Sequence, residues 1–443
     1  MSQPSLRSSH HLTMPGYPIT TQPKQVTAIP TSFASEPSGH RDTCYDPDLI
    51  QQFEEELYAL SGRRRRDNRL HCTIVDPKKK RMLKSLLLLV ALVSGSRCSP
   101  ASDNSPKEHR SNWPCPVDVE IRPCVCTTDA DFNLYMDCSE VTSADQLATV
   151  FSQDFPFPDF QILTIIQLSP FSPLDALPAG VFGIATFQHV VISGTYISTV
   201  EEETFSNSHE TLLTLDLSNN QLSSFPFESI PLFTHLWKFT LANNYLIDFP
   251  NIVSDSIRSL SLAQNTGLSL TETAFNQVRL LEELYLEEMQ LGSVPPNMLS
   301  HLNHIHTVEL SYNGLTGELI ENLINPPVRS LRKLHLHNNQ IRGIHPLAIV
   351  GLDRTATIDF KANEIIKLDK ENWRLLLEDI IGENVIDLRD NPLSCGCDVY
   401  WLVADRVHMA KIHKDTTCST GVKLHDLPLS FFQNHCPGGP ALW

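Results

Sequence analysis

The sequence predicts an α/β solenoid: a curved stack of short coils with parallel strands on the concave side and a disulfide-bonded cap at each end. Three observations carry that fold class. A phrase of fixed spacing recurs in ten segments between residues 160 and 391, at intervals of 21 to 28 residues. Within each phrase the apolar positions alternate as they do in a strand that buries one face. Eight cysteines stand in two sets of four, one on either side of the array, with none inside it. The interval and the phrase are those of leucine-rich repeats, so the predicted fold is a leucine-rich-repeat solenoid.

Taken in chain order, residues 1–81 are rich in Pro, Ser and Thr and end in the basic clusters Arg63 to Arg66 and Lys78 to Arg81; they read as a disordered upstream extension. MLKSLLLLVALVSGSRC, residues 82–98, has a short basic start, an apolar run and small residues after it, the layout of a secretory signal peptide. That run is too short for a membrane span, which needs roughly 20 apolar residues. Two accounts of the leading segment stand: translation that starts at Met82, or a signal anchor with a cytosolic tail. The shortness of the run favours the first. A linker, 99–114, follows.

Residues 115–159 are the expected N-terminal cap, with Cys115, Cys124, Cys126 and Cys138 spaced C-x8-C-x-C-x11-C. The repeats occupy 160–390. Their clearest copy is Leu212-x-x-Leu215-x-Leu217-x-x-Asn220-x-Leu222, matched by the copy Leu236-x-x-Phe239-x-Leu241-x-x-Asn244-x-Leu246 and by others through Thr355-x-x-Ile358-x-Phe360-x-x-Asn363. A three-residue strand cannot bury its apolar side chains alone, so stacked neighbours must supply the core. The asparagines are expected to satisfy backbone groups of the adjacent coil. Met289 and Thr195 interrupt that series, which predicts local looseness there. DKENWRLLLEDIIGEN, residues 369–384, is read as the strong amphipathic helix, with Trp373, Leu376, Leu377, Ile380 and Ile381 on its apolar face. The C-terminal cap, 391–443, carries Cys395, Cys397, Cys418 and Cys436. Its end, HCPGGPALW, has neither a membrane-spanning run nor a GPI-type tail, so no stable membrane anchor is expected.

The chain is 443 residues long, 41% hydrophobic and 19% charged, enough for one elongated domain with appended segments. Its formal charge of −17 is uneven: residues 1–81 hold 12 Lys plus Arg against 9 Asp plus Glu, leaving 22 against 42 in the remainder. So acidic a repeat body argues against nucleic acid as a partner. An even cysteine count at both open ends reads as disulfides in an oxidising compartment, so the protein is expected to be secreted and extracellular. Spacing alone allows three pairings in each set.

NPLSCGCDVYWL at residues 391–402 resembles the start of a leucine-rich-repeat C-terminal flank. CPVDVEIRPCVCTTDADFNLYMDCSEVTSADQLATVFSQDFPFPDF at 115–160, followed by LPAGVF at 177–182, is similar to the arthropod family named after the non-catalytic subunit of Oplophorus-luciferin 2-monooxygenase. The resemblance covers about residues 115–436. It implies the pairs Cys115 with Cys126, Cys124 with Cys138, Cys395 with Cys418 and Cys397 with Cys436. It further implies a chain that is not itself catalytic and accompanies a small, separate luciferase chain that oxidises coelenterazine.

The residues point the same way on chemistry. No phosphate loop, HExxH, GxSxG or paired-carboxylate motif is present. Zinc could use the cysteines of the C-terminal cap with His408, His413, His425 and His435, but a secreted chain with a matching N-terminal set favours disulfides. The expectation is therefore no catalytic residue, no cofactor and no metal. The positions between buried leucines face outward on the concave side, and their size and charge rise towards the C-terminal half. Glu283, Tyr285, Glu287, Glu309, His335 and His337 form the predicted partner-binding patch, an aromatic anchor among carboxylates and imidazoles. The function predicted is a secreted, non-catalytic binding protein that holds or stabilises a partner protein such as an oxidase or luciferase-type subunit; the alternative is an extracellular adhesion or innate recognition protein.

Overall fold

The computed structural model describes residues 113–167, 174–247 and 252–436, and the description below is confined to them. The upstream extension, the leader, the linker through residue 112 and the tail from residue 437 lie outside the described residues.

A 12-stranded sheet runs through the structure, its strands side by side in chain order. The first two, Val125–Thr128 and Leu134–Asp137, form an antiparallel hairpin; the second pairs in parallel with Asp159–Ile166, and parallel pairing continues from there to Ile386–Asp387. Parallel neighbours require a crossover between them. Here each crossover is the outer half of a coil, built from short pieces such as the 3-10 turn Phe227–Leu232 and the two-stranded pairing of Thr316–Leu319 with Gln340–Ile344. The anchors meet in one core: Leu215, Leu217, Phe239, Leu241, Leu260, Leu262, Leu284 and Leu286 are all at most 1% exposed. Burying one such side chain contributes about 1.5–3 kcal/mol, which no single coil could realise without its neighbours.

The asparagines join successive coils. Asn244 donates through Nδ2 to Leu217 O and Leu241 O at 2.9 and 3.0 Å, and its Oδ1 accepts from Leu222 N at 3.0 Å. Asn265, Asn339, Asn363 and Asn391 repeat the arrangement on their own coils. The residue just before each of them is left-handed: φ is 58° at Asn219, 53° at Asn243, 59° at Gln264, 54° at Asn338, 55° at Ala362 and 60° at Asp390. The doubled asparagines in the sequence thus have two jobs. The second fills the ladder, and the first tolerates the backbone that turns the chain out of the strand. Gly194 holds that position in an early coil at φ 74°, where a Cβ would lie 2.6 Å from Gln167 O.

Both interruptions of the series are closed, contrary to the looseness expected. Met289 is 1% exposed, its thioether side chain occupying the core, and Asn313 takes up its backbone N–H at 2.9 Å. Thr195 donates its hydroxyl to Asn220 Oδ1 at 2.6 Å. Two further differences concern the anchors. Thr355 is exposed and Ala356 is buried in its place. In the helix Lys370–Asp379, Trp373, Leu376 and Leu377 are buried and Ile380 beyond its end is too, but Ile381 is 53% exposed because the chain leaves helical geometry at residue 380.

Each end of the sheet is finished differently. At the first, Cys115 is bonded to Cys126 and Cys124 to Cys138. The hairpin turn is organised by Asp129, which accepts from Asp131 N, Asn133 N and Tyr135 OH at 2.9 Å each; burial first, then that bond, pushes the Tyr135 phenol up to about 12. Helix Ala144–Phe151, N-capped by Ser143, drives Phe151 into an aromatic cluster with Phe155, Phe182 and Phe187 at centroid distances of 5.7, 5.2 and 5.9 Å. At the other end Cys395 is bonded to Cys418 and Cys397 to Cys436. Ile412 bridges to Ile386 on the last strand, covering the edge that would otherwise be open, and Trp401 donates Nε1–H to Leu368 O at 2.7 Å. Among the described residues no helix is long and apolar enough to cross a membrane.

Candidate binding face

Strand alternation turns the residues between the anchors outward, and parallel register places equivalent positions side by side, neighbouring strands lying about 4.8 Å apart. One row therefore runs Tyr285, Glu309, His335, Asp359, Asp387 across five strands. Glu283 lies in a second row, with Ser259 on one side and Thr307 on the other. Glu287 and His337 lie two residues beyond Tyr285 and His335 on the same face. All six residues of the predicted patch are half-buried, as the residues of a sheet surface would be.

The patch divides into two halves. In the first, Glu283 Oε2 accepts from both Ser259 Oγ at 3.0 Å and Tyr285 OH at 3.2 Å. Burial, followed by the charges of Glu283, Glu287 and Glu309, drives the Tyr285 phenol far above its ordinary value, so it is a committed hydrogen-bond donor. In the second half Asp359 Oδ2 lies 3.3 Å from His337 Nδ1, while Glu309 Oε2 stands 4.0 Å from His335 Nδ1. The Asp359 bond raises His337 above the usual imidazole range against the opposing effect of burial. For Asp359 burial is the largest influence and acts upward, but bonds from His337 and from the Lys361 backbone N–H outweigh it and hold the carboxyl low.

Asp359 is the member that reading the sequence for site residues left out. The signal was present, since it sits 24 residues after His335, one repeat on in the same row. Tyr312 was missed too: it is 46% exposed, and its ring meets His337 edge-on at 5.3 Å.

Ser311, His337 and Asp359 have the residue types of a hydrolytic triad without its geometry. Ser311 Oγ, at 2.7 Å, and Asp359 both approach the same ring nitrogen, Nδ1, whereas a triad places its serine and its carboxylate on opposite nitrogens. Ser311 is also 1% exposed, closed to a substrate. What the face presents instead is an aromatic donor, acceptors on several coils and two imidazoles.

A family model described as Leucine Rich Repeat matches residues 211–233 and 330–352. The Oplophorus-luciferin 2-monooxygenase non-catalytic subunit of Oplophorus gracilirostris is 33% identical over 333 residues, 73% of this chain and 88% of that protein. Human oligodendrocyte-myelin glycoprotein is 35% identical over 170 residues, 38% of this chain and 37% of its own length. Among solved structures, a chain of the Drosophila Toll–Spatzle complex matches with a TM-score of 0.44 at 19% identity, covering 61% of this chain and 37% of that one.

Proposed function

Because this chain belongs to the family of the Oplophorus-luciferin 2-monooxygenase non-catalytic subunit, a leucine-rich-repeat protein, we propose that it is a secreted, non-catalytic binding protein that holds or stabilises a partner protein. The partner class is a secreted oxidase or luciferase-type subunit. The observation that carries the reading is the row of half-buried tyrosine, carboxylates and imidazoles laid across adjacent coils, which offers hydrogen-bonding and charge without an arranged nucleophile. Glu283, Tyr285, Glu287, Glu309, His335 and His337 are the contact residues, with Tyr285 as the anchor.

The proposal includes the division of the chain. Residues 82–98 act as a leader that is removed, 115–159 and 391–443 serve as caps, and 160–390 form the binding array. Disulfides at both flanks support an oxidising, extracellular setting.

The test is capture from the native secretion. The tagged chain should co-purify with one dominant protein identifiable by mass spectrometry, and Tyr285→Ala with Glu287→Ala should lose it while keeping the parental melting curve. Capture that survives the double substitution would remove the face from the proposal. Turnover of coelenterazine by the purified chain alone would contradict the non-catalytic assignment.

A further inference from the structure

We infer that His335, His337 and Asp359 form a binding site for a single divalent transition-metal ion, zinc foremost, on the open face of the sheet. Each residue can present one ligand atom, and these atoms all lie within 4.8 Å of one another. The convergence comes from the backbone. His335 ends its strand and His337 lies two residues beyond it, while Asp359 is the register partner of His335 on the next strand. Ligands held at about 2.0–2.1 Å in a tetrahedron are roughly 3.3 Å apart. The separation of His337 Nδ1 from Asp359 Oδ2 is already 3.3 Å; an ion there takes the place of the Ser311 Oγ contact, 2.7 Å from the same nitrogen, and draws the His335 ring inward.

The donor chemistry selects the class of ion. Two imidazoles and one carboxylate suit zinc, nickel or copper, whereas calcium and magnesium prefer oxygen throughout. The surroundings agree. Glu309 Oε2, 4.0 Å from His335 Nδ1, can orient that ring as a neighbouring carboxylate does at a metal ligand. Two cations of the following coils are turned to other carboxylates: Lys361 Nζ lies 3.6 Å from Asp390 Oδ2, and Arg389 donates Nε–H to Asp387 Oδ1 at 3.0 Å. The three side chains are 34%, 26% and 29% exposed, which leaves an approach from solvent and an open coordination position. Uptake of zinc by the chain alone neither needs nor excludes a protein partner, so this inference stands apart from the proposal above.

The full chain, secreted with its disulfides intact and stripped with a chelator, is titrated with Zn2+ by calorimetry and with Co2+ by visible absorption. One ion per chain is expected. His337→Gln and Asp359→Asn should each weaken Zn2+ binding at least about tenfold and abolish the Co2+ bands. His413→Ala, in the C-terminal flank, should change neither. In the unaltered chain Zn2+ should protect His335 and His337 from diethyl pyrocarbonate, a readout independent of whether a variant folds. No binding by the parent chain, retention of parental affinity in both variants, or modification of the two histidines unaffected by Zn2+ would each overturn the assignment.

Discussion

Replacing Asn265 by alanine tests the coil-to-coil ladder at a fully enclosed position. Asn265 is 0% exposed; its Nδ2 donates to Leu241 O and Leu262 O at 2.9 Å each, and its Oδ1 accepts from Leu246 N at 3.1 Å. Alanine leaves those backbone groups without the amide in a dry environment. An orphaned buried polar group costs about 1–3 kcal/mol, and partial relaxation around the void reduces the sum, so we expect a loss of about 3–5 kcal/mol. That is a large fraction of a domain's ordinary margin of about 5–15 kcal/mol. The loss also falls on a central coil, where each half of the stack depends on the other for its covered face. The assay is urea unfolding of the secreted, oxidised protein followed by circular dichroism. Asn265→Asp sharpens it: a buried carboxylate facing two carbonyls is unfavourable when charged, so its pKa rises on folding and the variant should recover part of its stability as pH falls from 7 to 4. A loss below about 1 kcal/mol for the alanine variant would mean that water or backbone rearrangement satisfies these groups, and that the asparagines are not what joins the coils.

Further outcomes follow from the same geometry. Cys397→Ser with Cys436→Ser removes a bond across 39 residues of sequence and should cost about 2–5 kcal/mol, seen as a lowered melting temperature and aggregation of the secreted product. Ala362→Gly should raise stability by up to about 1 kcal/mol, measured as a shifted urea midpoint, because Ala362 sits at φ 55°, where an L side chain is strained. Asp359→Asn should lower the His337 pKa, followed by proton NMR. The folded His337 value is raised, so its stabilising effect is complete below the ordinary value of 6.5 and is lost as pH rises through the folded one. The folded Asp359 value is lowered from 3.8, so its effect is present above 3.8 and is lost as pH falls through the folded one; the gap between parent and variant stability should be widest between those two ordinary values. Expression through a secretory host should yield a chain whose N-terminal sequencing begins near Arg97 or Ser99, and recovery of residues before Met82 on the secreted product would defeat the proposed start.

The repeating core was legible from the sequence alone because its contacts recur at a fixed offset. Leu215 meets Phe239 in the next coil as Phe239 meets Leu260 in the one after, so one phrase read ten times describes the whole stack. Asn220, Asn244 and Asn265 could be assigned to buried backbone partners on the same ground. Contacts that do not repeat were decided only by the tertiary structure. Phe151, Phe155 and Phe182 are scattered through the N-terminal flank and the first coils, and only packing gathers them. Gln167, buried without belonging to the asparagine series, donates Nε2–H to Val141 O and ties the first coil to its cap. Ile381 matched a helical period, yet the chain stops being helical just before it and leaves it in solvent. The meeting of Asp359 with His335 and His337 combines both kinds of information. Register, implicit in the spacing, sets the three on one face, but whether their polar atoms converge depends on side-chain rotamers and on neighbours such as Ser311 and Glu309.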